Sequence, residues 1–267
     1  MNYAESLFET DDATVDIETT ADVLKPVIGH ARKLVTELKL HASDDGLHYR
    51  TVDGANVAMM SVDVPAACFE RYDVDETTIG LDLKKTMGAL RLARQSEPDG
   101  IALNYADEML NTSVQRDYDG TTLDLEHSHK TLEPESIRDE PDDVDIDWSG
   151  TATLSRDLFG DVVETIGTVT GYHRFVSDGD DLVIAASDDL GASRAVVEGV
   201  LDGGPADSTL SGHYLETALS AFAAIGAEEL TLSLGEDIPM RIDWSVELGG
   251  ESVTGYWMQA PRVGGDE

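Results

Sequence analysis

The chain has a single cysteine, Cys68, in 267 residues. No internal disulfide or cysteine-rich zinc site can form from it, and one thiol suits a reducing, intracellular setting. No apolar run approaches the roughly 18 residues that a membrane-spanning helix needs. Met1 to Asp16 carries neither a basic n-region nor an apolar h-region, so no signal peptide is expected. Positive charge is scarce: 18 basic side chains face 54 acidic ones, a net −36, and the basic set is twelve arginines to six lysines. The G-x-S-x-G, H-E-x-x-H, P-loop, dinucleotide glycine and D-x-D-x-D-G patterns are all missing. The chain is therefore expected to be no enzyme, with no catalytic residues, no metal and no cofactor. His127-Ser128-His129 comes nearest to a metal motif, but two histidines at i and i+2 by a strand end read as surface residues.

What is present suffices for a core, at 41% hydrophobic residues. A charge of −36 destabilises a compact state by self-repulsion. Salt relieves that, since the Debye length falls to about 3 Å near 1 M. The acids are spread along the whole chain, which points to a salt-rich cytoplasm.

Apolar periodicity yields an α+β chain. Thr14–Glu18 alternates as a first strand. Asp22 is the expected N-cap of a helix with Leu24, Val27, Ile28, Ala31, Leu34, Val35 and Leu38 on its buried face. Strands of period two follow to Pro65 and again at Thr77–Leu81. Asp82 caps a second helix, and a meander follows at 100–105, 110–116 and 121–126. Ser128–Trp148, with Pro134, Pro141 and an acid run, is a long connector. The plan then repeats: Ser155 caps a helix with Leu158, Phe159, Val162, Val163 and Ile166 inward, strands lie at 181–186 and 193–200, and a helix follows Ser211. Strands close the chain at 229–234, 240–247 and 253–258. S-D-D-G-L-H-Y at 43–49 answers S-D-G-D-D-L-V at 177–183. The period is about 130 residues, the scale of a duplicated domain.

Charge is uneven between the halves. Residues 1–128 hold 11 basic and 25 acidic side chains, and 129–267 hold 7 and 29. Eight of the 18 basic residues fall on the two expected N-terminal helices, a pattern that suits either a solvated helix face or a surface facing phosphates.

Four stretches carry a family resemblance. They are D-G-L-H-Y-R-T-V-D-G-A-N-V-A-M-M-S-V-D-V-P (45–65), T-T-I-G-L-D-L-K-K (77–85), I-P-M-R-I-D-W (238–244) and the ending L-G-G-E-S-V-T-G-Y-W-M-Q-A-P-R-V (248–263). In this order, on a duplicated plan with a central connector, the chain resembles proliferating cell nuclear antigen, the archaeal and eukaryotic sliding clamp, from about Val15 to Val263. The resemblance implies a DNA-clamp fold: an N-terminal clamp domain at 1–128 with an extension at 1–12, a connector at 129–148 and a C-terminal clamp domain at 149–267. Each domain would have two inner helices and antiparallel outer sheets. Three copies would close into a ring around duplex DNA, held by topology with weak direct affinity. DNA polymerase, flap endonuclease, ligase and a clamp loader would dock through short peptide motifs.

Carried over by position, the resemblance implies a peptide pocket of Val52, Asn56, Val57, Ile137, Pro239, Met258, Ala260, Pro261 and Val263. The DNA-facing set would be Lys25, Arg32, Lys33, Lys84, Lys85, Arg91 and Arg94. Strands near 110–116 and 181–186 would pair between copies. Asp161 and Glu164 stand where family members carry positive charge. The helix after Ser211 has no lysine or arginine through Ala227. A virus-encoded or haloarchaeal clamp would fit these features. The alternative is a divergent clamp-fold subunit of a heteromeric ring or an adaptor.

Overall fold

The computed structural model describes residues 13–94, 99–142 and 144–262. The chain packs as two compact units. The first draws on 13–51, 62–139 and 247–253, and the second on 52–61, 140–246 and 254–262.

The first unit begins with β1 (Val15–Thr20) and α1 (Ala21–Ala31). The strands β2 (Glu37–Ser43), β3 (Gly46–Val52) and β4 (Ala58–Pro65) follow, then a short 3₁₀ turn at Ala66–Cys68. Next come β5 (Arg71–Val74), β6 (Thr77–Asp82), α2 (Leu83–Leu90), β7 (Gly100–Ala106), β8 (Met109–Tyr118) and β9 (Thr121–Lys130). One antiparallel sheet runs β5-β1-β7-β8-β9. In the other, β2 lies between β3 and β6, with His41 opposite His48 and Leu38 opposite Leu81. The two helices pack against each other; Ala21, Leu24, Ile28 and Ala31 are buried on α1, and Thr86, Ala89 and Leu90 on α2.

α1 is shorter than its apolar spacing predicts. It ends at Ala31, and Leu38 belongs to β2. After Ala31 the bonds become mixed: Lys33 and Leu34 N–H donate at i−3 to the His30 and Ala31 carbonyls, and Val35 N–H closes the turn at i−4 on Ala31. The Thr36 carbonyl is then taken by Leu83 N–H at the start of α2. β-Branched Val35 and Thr36 favour that extended exit, and pairing with β6 overrides the helical pattern. Asp22 is not the N-cap: Thr20 holds that position, and Asp22 sits in the first turn, where its charge suits the helix dipole. Asp82 does cap α2, accepting from the Lys84 and Lys85 amides.

The second unit holds β10 (Gly150–Ser155), α3 (Arg156–Gly167), β11 (Tyr172–Asp178), β12 (Asp181–Ser187) and β13 (Ala192–Val197). It continues through β14 (Leu201–Gly203), β15 (Asp207–Ser211), α4 (Gly212–Ile225), β16 (Glu229–Leu234), β17 (Met240–Leu248) and β18 (Glu251–Gln259). Strands β13-β12-β11-β15 form one sheet, and β14-β10-β16-β17-β18 run side by side in another. Phe159, Val162, Val163 and Ile166 of α3 are buried, as is Phe222 of α4. Leu158, expected inward, is 40% exposed: it lies off the stripe formed by Phe159, Val162, Val163 and Ile166, in the first turn where its amide donates to the capping Ser155 hydroxyl. In β17, Met240, Ile242 and Trp244 face the core in period two. Gly255 is required where β18 meets them: a Cβ there would overlap the Trp244 ring and the Ser61 carbonyl.

The strands expected to pair between copies are interior. β8 already has β7 and β9 on its two sides, and β12 has β11 and β13. A ladder with both sides used has no N–H or C=O left to offer; the edges of these two sheets are β5 and β9 in the first and β13 and β15 in the second.

One buried ion cluster ties the first unit together. Asp99, 6% exposed, accepts from the Arg94 amide at 2.6 Å, Arg94 Nη2 at 2.8 Å and Arg116 Nε at 2.9 Å. Its backbone carbonyl also accepts from Ala21 N–H at the start of α1. The Arg94 guanidinium, helped by the Arg94 amide and Arg116 and opposed by burial, holds the Asp99 carboxyl down to about 2. The folded pKa is depressed, so this contribution is complete above the ordinary 3.8 and is lost as pH falls from there through about 2. Asp99→Asn is expected to cost on the order of 2 kcal/mol at neutral pH. The difference from wild type should shrink as pH falls through that window, in thermal melts recorded at stepped pH.

Candidate functional site

The proposed pocket residues come from four segments: the end of β3 with the β3–β4 loop, the connector at Ile137, the β16–β17 turn, and the end of β18 with its tail. Asp53 shapes the loop. Its Oδ1 accepts from the Val57 amide at 2.7 Å and the Ala58 amide at 2.9 Å, and Oδ2 accepts from Ala55 N–H at 2.9 Å. The backbone closes the same turn through Asp53 N–H to the Ala58 carbonyl. Asn56 stands at φ 58°, a left-handed conformation that asparagine tolerates better than most residues. Val57, half-buried, therefore projects from a loop whose amides are already satisfied.

The tail meets this loop directly, as Ala260 N–H donates to the Val57 carbonyl at 2.8 Å. Met258 is buried at the end of β18, while Ala260 and Pro261 are half-buried. The tail is fixed on its other side too. Gln259 Nε2 donates to the Ser211 carbonyl at 3.0 Å, and Arg262 N–H donates to the Thr209 carbonyl at 2.8 Å. The Arg262 guanidinium lies 4.3 Å from the Tyr172 ring centre. Pro239, half-buried, has its carbonyl taken by Trp148 Nε1 at 2.8 Å. Arg241 lies over Tyr256, 4.1 Å from the ring centre, and pairs with Asp243.

Of the nine pocket residues, the structure links Val57 and Ala260 by a hydrogen bond, with Val52 and Asn56 in the same loop and Met258 and Pro261 in the same tail. Ile137 is 7% exposed and packs in the first unit beside Gly80, where the Leu132 carbonyl leaves no room for a Cβ. Val263 lies outside the described residues. Sequence reasoning missed two side chains, Asp53 and Tyr214, whose hydroxyl donates to Asp53 Oδ2 at 2.7 Å. Asp53-Gly54 carries the signal of an Asx turn; nothing local marks Tyr214. Burial would raise the Asp53 pKa, but the bonds from Ala58, Tyr214, Ala55 and Val57 outweigh it and leave it lowered. The same carboxylate, with burial, pushes the Tyr214 phenol up to about 12.

The seven basic residues divide into two groups. Arg32, Lys84 and Arg91 line one cavity of about 530 Å³ beside α1 and α2, shared with Glu37 and Asp82, and all three are exposed. Lys33 and Lys85 are exposed as well, Lys85 3.7 Å from Asp82. The other two are engaged in the fold, Lys25 Nζ at the Ala93 carbonyl and Arg94 on Asp99. The corresponding face of α3 and α4 differs in charge. A cavity of about 860 Å³ there is lined by Asp157, Asp161, Glu164 and Glu216, with Arg156 bonded to the Ala227 carbonyl and to Asp157. His129, expected at the surface, is 9% exposed in β9, and burial with the neighbouring His127 lowers its pKa.

Residues 16–129 match the family model described as "Proliferating cell nuclear antigen, N-terminal domain". The chain is 30% identical over 252 residues to the DNA polymerase sliding clamp of Halobacterium salinarum, covering 91% of this chain and 96% of that one. It is 27% identical to the clamp of Methanosphaerula palustris over 96% of this chain and 99% of that protein. Among solved structures it resembles A. fulgidus PCNA bound to the C-terminal region of FEN-1, with a TM-score of 0.80, 27% identity, and coverage of 94% of this chain and 100% of the other. A PCNA2–PCNA3 complex from Sulfolobus tokodaii matches in fold, with a TM-score of 0.75, 21% identity, and coverage of 92% and 99%. With its α+β clamp fold and its identity to a clamp matched over nearly its whole length, the chain belongs to the proliferating cell nuclear antigen family of DNA polymerase sliding clamps, which are non-enzymatic processivity factors.

Proposed function

We propose that three copies of this chain close around duplex DNA and tether DNA polymerase, flap endonuclease and ligase through short peptide motifs, with a clamp loader opening and closing the ring. The observation that carries this reading is the wall made by Val57 and Ala260, joined through one backbone hydrogen bond. An apolar wall with backbone groups beside it can take a peptide by burying a hydrophobic anchor and adding strand pairing. The A. fulgidus relative, at 27% identity, holds the C-terminal region of FEN-1. We take 1–128 and 149–267 as the two clamp domains and 129–148 as the connector. Val52, Asn56, Pro239, Met258 and Pro261 complete the proposed pocket.

Copies would join through the β9 edge of one and the β13 edge of the next. Both edges carry an exposed apolar residue, Leu123 at 40% and Val196 at 41%, and acidic Asp124 and Glu126 on β9 suit Arg194 on β13. Arg32, Lys33, Lys84, Lys85 and Arg91 would face DNA. Lys25 and Arg94, engaged in the fold, would support that face from beneath. The acidic α3–α4 face favours weak direct contact, and topology makes strong contact unnecessary. In a salt-rich cytoplasm, where the acid excess fits best, counterion release gives little phosphate affinity in any case.

Light scattering in about 2 M KCl, where surface charge is well screened, should find a species of three times the monomer mass. Leu123→Glu with Val196→Glu should reduce it to monomer. A stable wild-type monomer would instead favour a subunit of a heteromeric ring. Ala260→Asp with Pro261→Asp should weaken binding of a C-terminal flap-endonuclease peptide roughly 30-fold or more, with the trimer intact. Loss of the trimer in that variant would make the tail a structural element only. Loaded wild-type protein should stay on closed circular DNA yet leave linear duplex in about 2 M KCl, as a topological link does and a salt-sensitive phosphate contact does not. Tight binding to linear duplex under those conditions would contradict the topological reading.

A further inference from the structure

Both walls of the proposed pocket lead back to one short stretch, the junction of β15 with α4. The tail is held there by the Thr209 and Ser211 carbonyls, which accept from Arg262 N–H and Gln259 Nε2. The loop is held there by Tyr214 in the first turn of α4, whose hydroxyl donates to Asp53 Oδ2 at 2.7 Å. Asp53 in turn carries the amides of Ala55, Val57 and Ala58, and the Val57 carbonyl receives the Ala260 amide. A continuous path therefore runs from α4 through a phenol, a carboxylate and a loop backbone to the tail.

The four bonds to Asp53 differ in what they secure. Those from Ala55, Val57 and Ala58 are local, within five residues of the carboxylate, and they shape the turn. They do not fix where the turn stands relative to the rest of its unit. The Tyr214 bond spans 161 residues of sequence and ties the turn to a helix whose Leu215, Ala218 and Phe222 are buried in the core. Asp53 is 8% exposed, so its charge is held where water screens it poorly and a charge-assisted bond is strong.

We propose that Tyr214 is a positioning residue for partner docking: through Asp53 it presets the 53–58 loop against the tail, so that the incoming peptide meets a formed wall. Tyr214 touches no peptide in this role. It raises the fraction of molecules whose loop is already competent, and the observed affinity scales with that fraction. The inference rests on the docking reading above and adds the residue that sets the geometry of that site.

The test uses the full-length chain and, as probe, a labelled synthetic peptide of the A. fulgidus FEN-1 C-terminal region, the ligand of the 27%-identical relative. Tyr214→Phe keeps the ring and removes only the hydroxyl. Amide hydrogen exchange across 53–58 should rise about tenfold, as for a loop that has lost one charge-assisted tie. Peptide affinity should fall about five- to tenfold, chiefly through slower association, because fewer molecules are competent at encounter. Oligomer mass should stay unchanged, and so should exchange in β16 and β17, readouts that general destabilisation would move.

In an Asp53→Asn background, Tyr214→Phe should add little further loss, since the two side chains act as one unit. Loop exchange equal to wild type, unchanged peptide affinity despite faster exchange, or simply additive losses in the double variant would each overturn the proposal. If wild-type protein takes up no peptide, the docking reading falls, and with it the docking role of Tyr214. Loop exchange in Tyr214→Phe would then still decide whether the tie positions the loop.

Discussion

Each helix pair must bury one stripe of side chains against sheet, and that requirement decides what the remaining faces can do. α1 and α2 pack together and bury their apolar stripes, while Arg32, Lys84 and Arg91 line one cavity beside them. α3 and α4 meet by the same rule, yet their open face is lined by Asp157, Asp161, Glu164 and Glu216. The packing is duplicated and the surface charge is not. Burial constrains apolar residues tightly, whereas exposed charge is nearly free to vary. A repeated fold can therefore carry two electrically different faces.

The sequence disclosed most where one local rule acts alone. Alternation in β17 and the capping role of Asp82 and Ser155 follow from period and side-chain chemistry, and the structure has them. It misled where a distant partner competed. Leu34, Val35 and Leu38 continue a helical spacing, but β6 draws Leu38 into a strand. The short strands β5 and β14 escaped notice because four and three residues are too few to show a period. The same limit applied to the site. The tail and loop residues were visible as motifs, but the hydroxyl that links α4 to Asp53 joins positions 161 residues apart, and no spacing in the chain announces such a bond. Ile137 shows the converse, since an apolar residue in a connector can equally be one that packs under its own unit.

The acidic composition and the buried ion cluster obey different physics. Exposed carboxylates repel one another over a distance that salt shortens. Asp99, enclosed by Arg94 and Arg116, is screened less by bulk ions than those surface carboxylates. A fold can thus leave its surface to screening while retaining a few enclosed charges. The loop carboxylate of Asp53 belongs with the enclosed group.

The two sheet edges carry one last consequence. β9 and β13 are different strands with different side chains, so an assembly built through them is head-to-tail, with no two-fold axis relating neighbours. Every copy then points the same way around the axis. The two sides of such an assembly would be inequivalent, so a ring closed in this way would have a polarity set by the choice of edge strands alone.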